Sequence, residues 1–152
     1  MKIAITGATG HIGSNLVPLL LEEGHSLKLL IFQSDRFTNE AHVEIIRGDV
    51  THAADVDQLV EGSDMVIHLA AKITIEDDRD GSVTRTNVEG TRHVVESCVK
   101  YGIKRLIHFS SIHAFDPHPR YEPLDETRGY SQKATYYDAS KIAAEKLVLE
   151  AM

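Results

Sequence analysis

The segment KIAITGATGHIGSNLVPLL, residues 2–20, decides the fold of this chain. It begins as an apolar strand and ends as an apolar helix, and three glycines spaced three apart, Gly7, Gly10 and Gly13, lie between them. Gly7 permits a tight turn, Gly10 lets the backbone approach a pyrophosphate, and Gly13 lets the helix lie close to the sheet. Because the helix N-terminus stabilises phosphate charge, this order predicts a dinucleotide site rather than a glycine-rich turn that binds nothing. The expected cofactor contacts in the loop are Gly7, Thr9, Gly10, His11, Ile12 and Gly13, with His11 presenting only its backbone N–H.

The rest of the chain alternates between strand and helix patterns. This alternation predicts right-handed crossovers and a Rossmann-type, doubly wound parallel sheet of about five strands with helices on both faces, in one α/β domain over residues 1–152. The predicted strands are 2–6, 27–32, 43–47, 65–69 and 105–109, and the predicted helices are 11–23, 54–61, 83–100 and 136–152.

Composition excludes several classes of function. The 152 residues are 42% apolar, enough for a real core, and 16 basic against 23 acidic residues give a net charge of −7. Since no basic block is present, we expect no nucleic-acid partner and no anionic membrane partner. The single cysteine, Cys98, cannot form an internal disulfide and is expected to be buried. With no signal peptide and no apolar run of membrane-spanning length, we expect a soluble, cytoplasmic protein.

A second motif, Tyr137-Asp-Ala-Ser-Lys141, lies near the end of the chain. Residues four apart in a helix emerge on one face, about one turn from each other. A free tyrosine has a pKa of about 10, and a nearby ammonium favours the phenolate, so Lys141 would make Tyr137 a usable acid or base. The neighbouring Tyr136 has Ser140 at the fourth position and therefore lacks this partner. A solvated lysine beside a half-buried tyrosine is the alternative interpretation.

These motifs, in this order, resemble the extended short-chain dehydrogenase/reductase family, which includes nucleotide-sugar epimerases, dehydratases and dihydroflavonol-type reductases. Members usually continue for a comparable distance to form a carboxy-terminal substrate lobe, and we expect this chain to lack that lobe. The matching segments are the glycine loop 6–13, Gly48-Asp49-Val50, His68-Leu69-Ala70-Ala71, Asn87 within residues 86–91, Phe109-Ser110-Ser111, Tyr137 and Lys141.

The resemblance implies a nicotinamide-dependent reaction at a hydroxyl or carbonyl of a small molecule, either a nucleotide sugar or a flavonol-like or steroid-like ketone. Tyr137 would exchange a proton with the substrate, Lys141 would also bind the nicotinamide ribose, and Ser111, rather than Ser110, would donate to the substrate oxygen. The alternative for both serines is that they satisfy backbone groups at a strand end. His113 and Phe115 follow in a loop that lines the substrate pocket of the family.

The resemblance also implies further cofactor contacts. Asp49 resembles the acid that accepts from the adenine amino group, although it could instead cap the next helix, and Asn87 could support the active site or cap its helix. The other expected contacts are Val50 beside the adenine, Leu69, Ala70 and Ala71 at a strand end, and Lys72 near the ribose or pyrophosphate.

The choice between NAD and NADP depends on the end of the second strand. Asp35 is compatible with accepting from a ribose hydroxyl, and Arg36 with pairing to a 2′-phosphate. Both could also lie in solvent. Because no acid occupies the strand end itself, NADP is slightly favoured.

The nearest cluster of possible metal ligands is His113, Asp116 and His118. These residues lack the regular spacing of a zinc site, so no metal is expected. A cofactor-binding module without catalysis, or an incomplete copy of a longer enzyme, is the alternative to an enzyme. Helices 83–100 and 136–152 are those that many relatives use in a four-helix interface, which implies a homodimer. Because the missing strands would leave a sheet edge open, a poorly soluble species is the alternative.

Overall fold

A computed structural model describes residues 1–125, 127–132 and 134–151. The strands are β1 (Lys2–Thr6), β2 (Ser26–Ile31), β3 (Val43–Arg47), β4 (Met65–His68) and β5 (Leu106–His108). The helices are α1 (Gly13–Glu22), α2 (Ala53–Val60), α3 (Ser82–Thr84), α4 (Gly90–Lys100) and α5 (Tyr136–Glu150), with a π-turn at Arg85–Glu89 and a 3₁₀ turn at Ile112–Ala114.

The five strands form one parallel sheet in the order β3-β2-β1-β4-β5. The chain proceeds from β1 outward to β3, then returns to the other side of β1 and continues with β4 and β5. The order therefore reverses between β1 and β4, which is where open α/β sheets bind ligands beyond the carboxyl ends of their strands. The Rossmann-type sheet predicted from the sequence is confirmed.

Each face of the sheet carries its own apolar core, because successive strand residues point to opposite faces. On one face Ala4, Leu30 and Val66 pack against α2 and α4. On the other face residues such as Ile5 and Leu29 form a second core that includes Val17 of α1. The prediction of helices on both faces is confirmed.

Some predicted boundaries were wrong. The helix predicted at 11–23 starts at Gly13, since residues before it close a turn in which the Gly10 amide donates to the Gly7 carbonyl at 3.0 Å. The strand predicted at 27–32 ends at Ile31 and leaves Phe32 62% exposed. The helix predicted at 83–100 contains a π-turn, and Met152 of the last predicted helix lies outside the described residues.

The described residues contain no helix that combines the length and apolar character needed to cross a bilayer. Cys98 is buried, as predicted, and desolvation raises the pKa of its thiol to about 11. This thiol therefore behaves as a small apolar group of the core.

Candidate functional site

Glycine occupies each of the three positions in the loop for a different structural reason. Gly7 has a φ of +71°, and a Cβ there would lie 2.6 Å from the Ala70 nitrogen. A Cβ on Gly13 would lie 2.4 Å from the Gly7 carbonyl oxygen, so packing of the helix on the loop requires glycine. A Cβ on Gly10 would meet only the Gly7 oxygen, at 3.3 Å. Gly10 is exposed, and its open backbone is what a phosphate group needs for close approach.

A cleft of about 610 Å³ lies beside this loop, at the carboxyl ends of β1, β2 and β4. Several residues in its wall were predicted from the sequence: Gly7, Thr9, Gly10, Asp49, Val50, Leu69, Ala70, Ala71 and Lys72. Others were not predicted as cofactor contacts: Leu30, Phe32, Gly48, Thr51, Ser82, Arg85 and Thr86. Gly48 and Thr86 lie within segments that match the family, whereas no local pattern distinguishes the other five. The volume and the open glycine backbone fit an extended dinucleotide.

Asp49 lies in the cleft wall and also shapes the backbone before α2. Its Oδ1 accepts from the Thr51 amide at 2.9 Å, and its own amide donates to Asp55 Oδ2 at 2.9 Å. The local turn thus uses one carboxylate oxygen, which leaves acceptor capacity for a ligand. Val50 is buried against Gly90, where a Cβ would lie 2.9 Å from the valine side chain.

The loop after β2 carries Asp35 and Arg36, the two residues expected to determine the preference between NAD and NADP. Asp35 pairs with Arg47 of β3, with 2.7 Å between Oδ1 and Nη2. Arg47 also donates to the Ser34 carbonyl. The Arg36 guanidinium lies over the Phe37 ring at 5.1 Å. This exposed cluster holds two cations and one carboxylate.

His11 and Ile12 are exposed on the loop, and Gly13 is buried beneath it. The His11 carbonyl accepts from Asn15 Nδ2 at 2.8 Å and from the Ser14 hydroxyl at 3.2 Å. These bonds hold the loop against the first turn of α1.

Asn87 is 2% exposed and joins the cleft wall to the tyrosine helix. Its Oδ1 accepts from the Lys72 amide at 2.7 Å, and its Nδ2 donates to the Lys72 carbonyl at 3.0 Å. The same Nδ2 donates to Ser140 Oγ at 2.9 Å, and this hydroxyl donates to the Tyr137 carbonyl at 2.6 Å. Because the helix begins at Ser82, the interpretation of Asn87 as a helix cap was wrong. Asn87 lies in the π-turn, an irregularity frequent at functional sites.

Tyr137 and Lys141 lie one turn apart in α5, whose start is fixed by a capping box between Thr135 and Asp138. Lys141 is 4% exposed, and its Nζ donates to the Phe109 carbonyl at 2.7 Å. Desolvation lowers the pKa of Lys141, while the charge of Glu145 opposes this shift. Tyr137 is half-buried, whereas Tyr136 is exposed.

The two serines after β5 have different partners. The Ser110 hydroxyl donates to Glu145 Oε2, and the Tyr130 hydroxyl donates to the other carboxylate oxygen, Oε1, at 3.2 Å. Ser111 Oγ accepts from the His113 amide at 3.2 Å. Ser111 thus satisfies a backbone group, as its alternative interpretation held, yet its hydroxyl proton stays free to donate.

The loop after Ser111 packs beside the start of α5. His113 Nδ1 lies 3.6 Å from Asp138 Oδ1, and the Phe115 ring stacks on Tyr130 with 5.8 Å between centroids. Across the described ranges, no three His, Cys, Asp or Glu side chains are grouped to hold a metal ion.

Fold and site together define a class: a Rossmann-type domain with a glycine loop at its switch point and a tyrosine–lysine pair at the same sheet edge. The chain belongs to the NAD dependent epimerase/dehydratase family, whose family model matches residues 3–152. The resemblance drawn from the sequence motifs is thereby confirmed.

Two curated relatives and one solved structure illustrate the similarity. The chain is 32% identical to 3 beta-hydroxysteroid dehydrogenase type 7 of Rattus norvegicus, over 97% of this chain and 47% of that protein. It is 31% identical to sterol demethylase protein B of Methylococcus capsulatus, over 100% of this chain and 48% of that protein. The Bordetella bronchiseptica enzyme WbmG in complex with NAD and UDP is 28% identical with a TM-score of 0.85, over 98% of this chain and 49% of that chain. The chain thus spans about half the length of these relatives.

Proposed function

We propose that this chain binds NAD or NADP in the cleft and forms, as one domain over residues 1–152, the cofactor-binding part of an oxidoreductase, epimerase or dehydratase. The observation that carries this proposal is the contact between Lys141 and the Phe109 carbonyl, at 2.7 Å. It ties the tyrosine helix to the end of β5 beside Ser111, while Asn87 ties the same helix to the cleft wall. Three independent motifs thus converge on one sheet edge.

The proposed roles follow from the chemistry of the side chains. Tyr137 takes the proton of a substrate hydroxyl, or returns one to a carbonyl, while the Ser111 hydroxyl donates a hydrogen bond to the same oxygen. Lys141 supplies a buried positive charge one helical turn from Tyr137 and holds the nicotinamide ribose. When bound, the nicotinamide ring supplies or accepts the hydride.

The cofactor proposal is NAD or NADP, with a slight preference for NADP. WbmG was solved with NAD, which supports a nicotinamide dinucleotide in general. The preference for NADP is supported by two guanidiniums near the end of β2, that of Arg36 in the loop and that of Arg47 in β3, where Asp35 is already paired.

The proposed substrate is a small molecule with a hydroxyl or carbonyl group. Two relatives are named for steroids or sterols, and one solved structure contains UDP. Steroid-like or flavonol-like ketones and nucleotide sugars are therefore the two classes to test.

A second candidate is a dinucleotide-binding module without catalysis, or part of a longer enzyme. The observation that favours it is the coverage of 47% of the rat relative. Tight dinucleotide binding without turnover of any carbonyl substrate would support this candidate. If adding a downstream segment to the chain gave an active enzyme, the hypothesis of a module without catalysis would be excluded.

We also propose a homodimer formed through α4 and α5. Exposed apolar side chains on these helices, Val99 and Leu149, support it. Light scattering of the chain at high concentration should give twice the monomer mass, and a monodisperse monomer would contradict this.

Replacing Tyr137 by phenylalanine tests the proposed function. In the protein that carries this chain, Tyr137→Phe should lower turnover of a hydroxysteroid or UDP-sugar panel by about 10²- to 10⁴-fold with dinucleotide affinity unchanged. Tyr136→Phe, one residue away and exposed, is the matched control and should keep full activity. Equal turnover by both variants would remove Tyr137 from its proposed role.

A further inference from the structure

A row of buried hydrogen bonds crosses the middle of the domain. Thr6, the last residue of β1, accepts at Oγ1 from the Ala70 amide at 3.2 Å and lies 2.6 Å from His68 Nδ1. On the other side of the ring, His68 Nε2 lies 2.9 Å from Thr91 Oγ1. The Thr91 hydroxyl in turn reaches the Asn87 carbonyl at 2.7 Å. Thr6, His68 and Thr91 are each at most 2% exposed, so water does not compete for these groups.

The directions of these bonds determine where the imidazole carries its hydrogen. The Asn87 carbonyl can only accept, so the Thr91 proton points to it and the Thr91 oxygen receives a proton from Nε2. The Thr6 oxygen already receives the Ala70 N–H, and its own proton is free to point at Nδ1. Only a neutral His68 with its hydrogen on Nε2 satisfies all of these groups.

We propose that His68 is a positioning residue that couples the wall of the cofactor cleft to the tyrosine helix, through a neutral ring held between Thr6 and Thr91. On one side, Thr6 precedes Gly7 and holds Ala70, both of which line the cleft. On the other side, Thr91 holds the π-turn at Asn87, whose amide reaches the tyrosine helix. The row thus joins two parts of the site that are far apart in sequence.

The surroundings of the ring favour the same neutral state. The His108 ring of β5 lies 5.4 Å away between centroids, and Lys141 of α5 is the nearby cation. Desolvation, with smaller contributions from these two groups, lowers the pKa of His68 to about 3. A charged His68 would place a second cation beside buried Lys141.

The first test reads the tautomer directly. Imidazole ¹⁵N spectra of the unliganded chain at neutral pH should show His68 with a proton on Nε2 and a bare Nδ1. A proton on Nδ1, or a doubly protonated ring, would overturn the proposal.

The second test is a double-mutant cycle in folding stability. Thr6→Val and Thr91→Val each remove one hydroxyl at similar volume, on opposite sides of the ring. If His68 couples them, the unfolding equilibrium constant of the double variant departs from the product of the single effects by more than about twofold. The matched control pairs Thr6→Val with Ser97→Ala, another buried hydroxyl of α4 that donates to Asp57 at 2.8 Å, and should be multiplicative. A Thr6/Thr91 cycle that is also multiplicative would overturn the coupling. Thr91→Ala, which also removes the hydroxyl, replaces Thr91→Val if the latter does not fold.

The third test asks whether the coupling reaches the cleft, and it alone rests on the proposed dinucleotide site. Thr91→Val should weaken NAD or NADP binding by about three- to tenfold, as expected for one disturbed hydrogen bond. Thr91→Ser and Ser97→Ala should bind like the unchanged chain. Equal affinity of Thr91→Val and Ser97→Ala would overturn the coupling to the cleft. If the unchanged chain binds neither dinucleotide, the proposed function fails, while the tautomer and the cycle still decide the role of His68.

Discussion

Two regions that flank the cleft, called here its open end and its buried end, are held in opposite ways. The open end consists of the surface loop from Phe32 to Arg36 and of Arg47 at the end of β3. The side chains of Asp35 and Arg47 are 96% and 49% exposed. The buried end is made of polar side chains inside the core, with the half-buried His108 beside them: His68, Asn87, Ser140 and Lys141. Buried polar groups cost free energy unless they are paired, whereas exposed ion pairs contribute little. Folding therefore organises the buried end before any ligand binds, while the open end, which is expected to distinguish NAD from NADP, is left for the ligand to arrange.

The largest effect that would sharpen this contrast is the pH dependence of folding. Burial lowers the pKa of His68 to about 3 and that of His108 to about 4, from 6.5 in the unfolded chain. Below 6.5 the unfolded state binds more protons than the folded state, so stability falls as pH falls. Between pH 7 and pH 5 each histidine should remove about 2 kcal/mol from the free energy of unfolding.

Urea unfolding at a series of pH values measures this loss. His108→Leu should remove about half of it, because none of the described residues offers a partner to either His108 ring nitrogen. His11→Gln, at an exposed position of the loop, is the control and should keep the full loss. Equal free energies of unfolding at pH 7 and pH 5 would contradict the burial of neutral histidines at the buried end.

The next effect concerns Asn87. Asn87→Ala leaves the Lys72 backbone groups and the Ser140 hydroxyl without their partner, and should lower the free energy of unfolding by about 3 kcal/mol. Asn15→Ala removes an exposed amide that donates to the His11 carbonyl and should cost less than about 0.5 kcal/mol. Thermal or urea unfolding of both variants checks this, and equal losses would show that the two ends do not differ.

The smallest effect belongs to the open end. Arg47→Gln breaks the Asp35 pair and should change the free energy of unfolding by less than about 0.5 kcal/mol. Because Asp35 is then free to accept from a ribose hydroxyl, the ratio of NAD to NADP affinity should rise, by about tenfold or less. Titration of both dinucleotides measures the ratio. If Arg47→Gln left the ratio of NAD to NADP affinity unchanged but strongly lowered the free energy of unfolding, the open end would be a structural element and not a region that the ligand arranges.

The sequence predicted local features well and long-range contacts poorly. The strand, glycine loop and helix at 2–20 and the helix carrying Tyr137 and Lys141 depend on neighbouring residues, so periodicity and spacing were enough. The π-turn was missed because no local signal in the segment Arg85–Glu89 distinguishes a π-turn from an ordinary helical turn. The bond between Asn87 and Ser140 joins residues 53 apart, which no local pattern indicates.

The position of His68 is a sequence signal from which a buried polar contact could have been predicted. It is the one polar residue in the strand Met65-Val66-Ile67-His68, and a buried polar group needs a partner. That partner, Thr91, becomes visible only when the crossover lays α4 against β4. At the open end, Asp35 and Arg36 were correctly identified as neighbours of the strand end, but Arg47 was missed because it comes from β3, 12 residues further along the chain.

The central claim is that the cleft beside Gly7 and Gly10 binds a nicotinamide dinucleotide. Calorimetric titration of the purified chain with NADPH and, separately, with NADH tests it most directly. We expect at least one dinucleotide to bind with one-to-one stoichiometry, with a modest preference for NADPH. If a chain shown to be folded by circular dichroism binds neither, the cleft is not a functional cofactor site in this chain.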